Sequence, residues 1–314
     1  MAATASAASR STVELALRGQ RHDVRGRIFA AALLLTLLVS LAVLIVLLGS
    51  VLAEAWPVLA SRGLGFLGDN LSQFDSRAGV RQGVIGSLIL ITFVAVIAVP
   101  LGIGAALYLQ EYARDTRLNR ALIANIRNLA GVPSIVYGIF GVVVFAQTLR
   151  SVTGPESSGL SYISGGLTLS VLVMPFMIII TMEALRAVPH GIREAAYGVG
   201  ATRWEVVRSH VLPYAAPGVF TGAILALARA FGETAPLLLV GAVTGYLTPG
   251  GSGNLLETLQ GRYTALPTII FNWSRQPGEV WGHLTAAAIV VLLAVILVVN
   301  LVAIVLRNRY ERRW

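Results

Sequence analysis

The sequence predicts an all-α, polytopic membrane protein of about six transmembrane helices. Three observations carry that prediction. Of the 314 residues, 56% are hydrophobic and only 12% are charged, against about 25% charged in an ordinary soluble domain. The mean hydropathy is +0.76. The apolar residues also gather in runs long enough to cross a hydrocarbon core of about 30 Å at ~1.5 Å per residue.

Residues 1–27 begin with an Ala-, Ser- and Thr-rich stretch and are expected to form a disordered cytoplasmic tail. The first span is 28–51, whose only polar side chains are Thr36, Ser40 and Ser50. Ala53-Glu54-Ala55 mimics a signal-peptidase site. The run is nevertheless longer than the ~7–15 residues of a signal-peptide core, so an uncleaved anchor is expected. The second span, 84–109, carries Pro100, Gly102 and Gly104 in its latter half, breaks that neighbouring helices can cover. The third, 131–149, holds Pro133, Ser134, Gly138 and Gly141, small residues suited to close helix packing. The fourth, 167–182, has a kink expected at Pro175. The fifth is 216–240 and the sixth 284–306, followed by a tail at 307–314. Spans two to six, residues 84–306, make up the core. The intervening segments 52–83, 150–165 and 241–283 carry Gly, Pro and Asn turn signals. Within the last of these, 263–273 is apolar and aromatic but too short to span, and reads as an interfacial or re-entrant helix.

All 24 basic residues are arginine, and the net charge is +9. The arginines flank the apolar runs, which reads as a topological signal at a lipid surface and argues against nucleic-acid binding. Seventeen lie in the N-terminal segment, the loops after spans two and four, and the C-terminal segment; six lie on the opposite side. The positive-inside rule then places both termini in the cytoplasm. A phosphate-binding P-loop needs lysine. With none in the chain, ATP hydrolysis is expected on a partner. There is no cysteine, and four scattered histidines make no metal-ligand cluster.

The most informative segment is the loop 186–213. It contains Arg193-Glu194-Ala195-Ala196-Tyr197-Gly198-Val199-Gly200-Ala201-Thr202-Arg203-Trp204-Glu205 and runs on to Leu212-Pro213. A short helix with a small-residue face at Ala195 and Ala196 is expected to end at Gly200 in the left-handed conformation. Thr202 and Glu205 fit a capping box for a second helix. Tyr197 and Trp204 are candidate anchors for a docked partner.

In the fifth span, Arg229 and Glu233 are four residues apart and share a helix face. A mid-membrane arginine costs a few kcal/mol and must meet a partner or a watery path. Two readings follow: an ion pair that orients helices, and an anion passage in which the guanidinium meets an oxyanion bidentately.

The Glu-Ala-Ala, Gly200 and Leu-Pro spacing resembles the EAA motif of ABC importer permeases. His210 stands where that family usually has a branched aliphatic residue. Three further pieces resemble the PstA-type permease of phosphate-specific ABC importers. They are Gly131-Val132-Pro133-Ser134-Ile135-Val136-Tyr137-Gly138, Arg229-Ala230-Phe231-Gly232-Glu233-Thr234-Ala235-Pro236-Leu237-Leu238, and Thr264-Ala265-Leu266-Pro267 with Asn272-Trp273. The resemblance implies an ABC importer type I permease fold in a bacterial plasma membrane. It implies four kinds of contact: a related PstC-type permease, a dimeric PstB-type ATPase, an extracytoplasmic PstS-type phosphate-binding protein, and membrane lipid. It also implies that ATP and Mg sit on the ATPase and no cofactor on this chain. Glu194, Ala195, Ala196, Gly200, Thr202, Trp204 and Glu205 would dock the ATPase. Arg229 and Glu233, with Ser134, Tyr137 and Thr234 in the matching segments, would line the anion path. Another oxyanion, molybdate or sulfate, is the alternative substrate class. A self-contained channel or carrier is a further alternative, but would need no docking loop. A proton-relay carrier is poorly supplied, since Glu233 is the one acid expected inside the spans.

Overall fold

The structure, a computed structural model, describes residues 24–243 and 254–310. Among these residues there is helix and no strand. The chain divides into two compact units, residues 1–53 and 54–314. Most of the tail expected at 1–27 lies outside the described residues, but from Val24 the chain is already helical.

The described part of the first unit belongs to helix α1, Val24–Arg62. Its leucine, valine and isoleucine side chains from Ile28 to Leu48 are exposed, as suits a helix whose solvent is lipid. The helix continues past the predicted end at residue 51 because its last turns, in the second unit, have protein to pack on. Ala55 and Val58 are buried, and Arg62 pairs with Asp69 at 2.8 Å and donates to the Ala78 carbonyl at 2.8 Å.

The rest of the second unit runs as follows. Helix α2 is Arg81–Tyr112. Helices α3, Arg117–Ala130, and α4, Ser134–Thr148, meet at a 99° bend. Helix α5 is Tyr162–Arg186, α6 His190–Gly198, α7 Arg203–Gly232 and α8 Ala235–Leu239. Helix α9 is Leu255–Gln260, α10 Leu266–Trp273 and α11 Glu279–Tyr310. Among the described residues, five helices are long and apolar enough to cross a membrane, or six if the bent α3–α4 pair is one span. The predicted third span, 131–149, is therefore a helix of 134–148 entered through a sharp turn. Pro133 holds the preceding Val132 out of the helical region and cannot donate into a helix itself. The last helix also runs on to Tyr310, into what the sequence marks as tail.

Two π-helical turns precede prolines. Val94–Ala98 stands before Pro100, and Val207–Val211 before Pro213. A proline removes one amide donor and crowds the carbonyl four residues back. A wider turn there lets the helix continue without a break. Pro236 has the other outcome. Its ring would crowd the Gly232 carbonyl, so α7 ends at Gly232 and Glu233 is extended, with ψ 121°. The predicted continuous fifth span, 216–240, is thus two helices with a break at Glu233 and Thr234.

Helix α5 is the centre of the unit. Helices α2, α3, α4 and α7 all pack on it. They approach closely through glycines. A Cβ at Gly102 would lie 2.7 Å from Met177 Cγ, and one at Gly166 would meet Phe93 at 2.5 Å. Gly141 faces Thr168, and Gly222 faces Ile180. Two buried hydroxyls of α5 bond within their own helix, Thr168 to the Ser164 carbonyl and Ser170 to the Gly166 carbonyl, each at 2.7 Å, and a third, Ser164, donates to the Gly159 carbonyl just before it at 2.6 Å. This satisfies them where no water is available. Helix α10, in the segment read as interfacial or re-entrant, is mostly buried in protein: Leu266, Pro267, Thr268, Ile269 and Trp273 are all covered. Its first amide, that of Leu266, donates to the Ser87 hydroxyl of α2 at 2.9 Å.

The same close packing seats α8 on α4. A Cβ at Gly138 would lie 2.7 Å from Pro236 Cα. Gly138→Val is expected to lower the thermal unfolding midpoint of the purified chain, through overpacking of about 1–3 kcal/mol. Gly104→Val, where a Cβ meets open space, is expected to leave it unchanged.

Candidate functional site

Two sites emerge, one at each end of α7. At its first turn is the loop that joins α5 to α7. Pro189, extended at ψ 136°, precedes α6. Helix α6 closes on Gly200, whose φ is 85°. The Gly200 amide donates to the Tyr197 carbonyl at 2.9 Å and the Ala201 amide to Ala196 at 3.1 Å. These two bonds form a Schellman end, which satisfies the last carbonyls of the helix. Thr202 then caps α7. The Thr202 amide donates to Glu205 Oε2 at 2.7 Å, the Thr202 hydroxyl donates to the same oxygen at 2.8 Å, and the Glu205 amide donates back to Thr202 Oγ1 at 3.4 Å. The bond from the Thr202 amide, then that from its hydroxyl, hold the Glu205 carboxyl below the usual carboxylate range.

The side chains of this loop separate into two sets. Tyr197 and Trp204 are 47% and 60% exposed, and Glu194, Ala195, Gly200, Thr202 and Glu205 are also exposed. Ala196 is buried, 5% exposed, against its own chain. The small-residue surface expected at Ala195 and Ala196 is therefore divided: Ala195 faces out, and Ala196 packs the helix down.

At the other end of α7, Arg229 Nε lies 3.6 Å from Glu233 Oε1, with Arg229 41% and Glu233 16% exposed. The Arg229 guanidinium also sits over the Phe176 ring of α5, 5.7 Å from its centroid, a cation–π contact. The charge is thus held on one side by carboxylate and aromatic face and open on the other. Thr234, half-buried, lies in the break beside the pair. Tyr137 of α4 is buried and within electrostatic range of Arg229. Its hydroxyl donates to the Leu129 carbonyl at 2.9 Å and so braces the α3–α4 bend. Ser134, half-buried, opens α4 one turn before Tyr137. The structure thereby gathers Arg229, Glu233 and Thr234 at the break, with Tyr137 within range.

Sequence reasoning missed Phe176, and it missed acids at the loop end. Glu111 lies in the last turn of α2 and pairs with Arg193 at 2.7 Å. Glu183, in the last turn of α5, pairs with Arg186 at 3.0 Å and Arg127 at 3.7 Å. Arg120, Arg127, Asn128 and Arg186 border a cleft of about 380 Å³ between α3 and α5. Both acids lie just beyond the predicted span ends at 109 and 182, outside the apolar runs. Their clue was an acid placed one or two residues past an apolar run.

Residues 98–314 match the profile of a family described as binding-protein-dependent transport system inner membrane component. A phosphate transport system permease protein PstA 1 of Mycobacterium tuberculosis is 32% identical over 93% of this chain and 92% of its own length. A phosphate transport system permease protein PstC of Mesorhizobium japonicum is 33% identical over 67% of this chain and 68% of its own. Among solved structures, a chain of a bacterial alginate ABC transporter, in complex with a periplasmic protein bound to an alginate pentasaccharide, superposes with a TM-score of 0.66. It covers 93% of this chain and 98% of its own at 16% identity. A chain of the inward-facing MetNI methionine ABC transporter superposes with a TM-score of 0.55 over 74% and 98%, at 17% identity. Those two likenesses concern the fold. The sequence matches show that this chain belongs to the binding-protein-dependent transport system inner membrane component family, as a multi-pass permease subunit of the ABC importer type.

Proposed function

We propose that the chain is the PstA-type permease of an ATP-driven importer of inorganic phosphate. The observation that carries this reading is the half-open guanidinium of Arg229, fixed by Glu233 and Phe176 at a break in a membrane-spanning helix. A planar guanidinium matches two oxygens of a phosphate, and a broken membrane helix is a common setting for a substrate site. The names of the sequence relatives support phosphate as the anion. A related PstC-type permease completes the passage, and an extracytoplasmic phosphate-binding protein loads it. The arginine distribution supports cytoplasmic termini, which places the loop 186–213 on the cytoplasmic face.

The loop then receives a dimeric ATPase, which carries ATP and Mg. Tyr197 and Trp204 supply exposed aromatic surface, and Glu194, Ala195, Gly200, Thr202 and Glu205 shape the contact around them. Helix α7 joins this contact to Arg229 directly. Its 30 residues reach about 45 Å at ~1.5 Å per residue. Motion delivered at Thr202 therefore arrives at Arg229 along one continuous helix.

The reading is tested by radiolabelled phosphate uptake into proteoliposomes that hold this chain, the second permease, the ATPase and the loaded binding protein. ATP-dependent uptake that sulfate does not replace is expected; uptake without ATP, or sulfate carried equally well, overturns it. Arg229→Gln is expected to lower uptake by about tenfold or more, on the scale of a charge-assisted hydrogen bond, while the complex still co-purifies. In the same assay Gly200→Val is expected to lower uptake several-fold and Gly200→Asn to retain most of it. Within this chain a Cβ at residue 200 meets open space, so the effect on the loop itself is one of backbone conformation: a left-handed φ costs ~1–2 kcal/mol for most residues and less for Asn.

A further inference from the structure

Three consecutive side chains at the end of α2 each hold an arginine from the α5–α7 segment. Gln110 Oε1 accepts from Arg186 Nε at 3.1 Å. Glu111 Oε1 accepts from Arg193 Nη2 at 2.7 Å, and its Oε2 from Arg193 Nε at 3.5 Å. The Tyr112 ring lies under Arg203, 5.2 Å from guanidinium carbon to centroid. Arg186 is the last residue of α5, Arg193 lies within α6, and Arg203 opens α7. One turn of α2 thus touches all three helices of the segment.

The local backbone accounts for this reach. Successive side chains on a helix diverge by ~100°, so three in a row sweep an arc of about 200°. Here the turn Tyr108–Tyr112 is π-helical, closed by the Ala113 amide on the Tyr108 carbonyl five residues back at 2.8 Å. The turn is open at its end, and its side chains face three different neighbours.

The three contacts differ in strength. Glu111 and Arg193 are 9% and 15% exposed. Arg193 also donates to the Val188 carbonyl at 2.8 Å and the Leu185 carbonyl at 2.9 Å, so both charges are paired and hydrogen-bonded in a site largely shielded from solvent. Removal of either partner strands the other there, which is strongly unfavourable. Gln110 with Arg186 and Tyr112 with Arg203 are more exposed and add direction more than strength.

We propose that Gln110, Glu111 and Tyr112 form a clasp that makes the docking loop and the end of α2 one rigid body. A push on α6 then moves α2 and α5 together with α7, and the helices around the anion path shift as a set. The three are positioning residues, acting through Arg186, Arg193 and Arg203. The role in coupling rests on the reading of this loop as the ATPase contact; the rigidity does not.

Two experiments separate those layers. The chain has no cysteine, so spin labels at Tyr108→Cys and Val199→Cys, both exposed positions, report the distance from α2 to α6 in the full chain in detergent. A narrow distance distribution is expected in the parent and in Glu111→Asp, and a clearly broadened one in Glu111→Gln. If Glu111→Gln does not fold, the double variant Gln110→Ala/Tyr112→Leu replaces it, with broadening again expected. An unchanged width in the variant that folds overturns the clasp. In the reconstituted transporter, phosphate imported per ATP hydrolysed is expected to fall about tenfold in Glu111→Gln, within the usual range of coupling effects, with Glu111→Asp restoring most of it and the ATPase still co-purifying. An unchanged ratio overturns the coupling role. Broadened labels in a chain whose parent transporter imports no phosphate would leave the clasp standing and remove the proposed substrate.

Discussion

Hydrocarbon supplies no hydrogen bonds, so each backbone group that a proline releases inside a span has to be met by protein. That constraint organises this molecule. Pro100 and Pro213 are absorbed by wide turns, Pro133 by a sharp bend, and Pro236 by a full break. The breaks survive because α5 runs through the centre and glycines bring its neighbours close enough to cover the disturbed backbone. Helix α5 itself carries Pro175 and remains one continuous helix. A less tightly covered bundle would leave the Glu233–Thr234 break exposed to lipid.

Charge obeys the same rule. Arg229 stands at the break with Glu233 and Phe176 around it. Arg193 stands at the loop end with Glu111 and two carbonyls around it. The two arrangements differ in a way that bears on their roles. The Arg193 pair is short and closed off, which suits a fixed joint. The Arg229 pair is 3.6 Å apart with a guanidinium 41% exposed, which leaves it free to take another anion. Helix α7 runs from the loop, beside the first pair, to the second.

Much of this was legible in the sequence. The apolar runs locate the membrane-crossing helices, because hydropathy responds to lipid and little else. The Gly200 bend and the Thr202–Glu205 box are local, set by residues within one or two turns of each other, and are present as read. The i, i+4 spacing put Arg229 next to Glu233, although Pro236 takes Glu233 out of the helix. Other features were hidden for a physical reason. Glu111 and Arg193 are 82 residues apart, and only the packing of α2 against α5 brings them together. Phe176 reads as one more apolar residue in a span until α7 is laid beside it. The helix ends were also misjudged, as at residue 51, since hydropathy stops where lipid stops and the helix continues where protein covers it.

In the proposed function, α7 carries movement from the loop 186–213 to the break at Glu233 and Thr234. The most direct measurement is the sidedness of a thiol placed in that break. Thr234→Cys in this cysteine-free chain, within the reconstituted transporter, is treated with a membrane-impermeant maleimide from either face, with and without a non-hydrolysable ATP analogue on the ATPase. The reactive face is expected to switch when nucleotide binds. Labelling from the same face in both states, at the same rate, would contradict it.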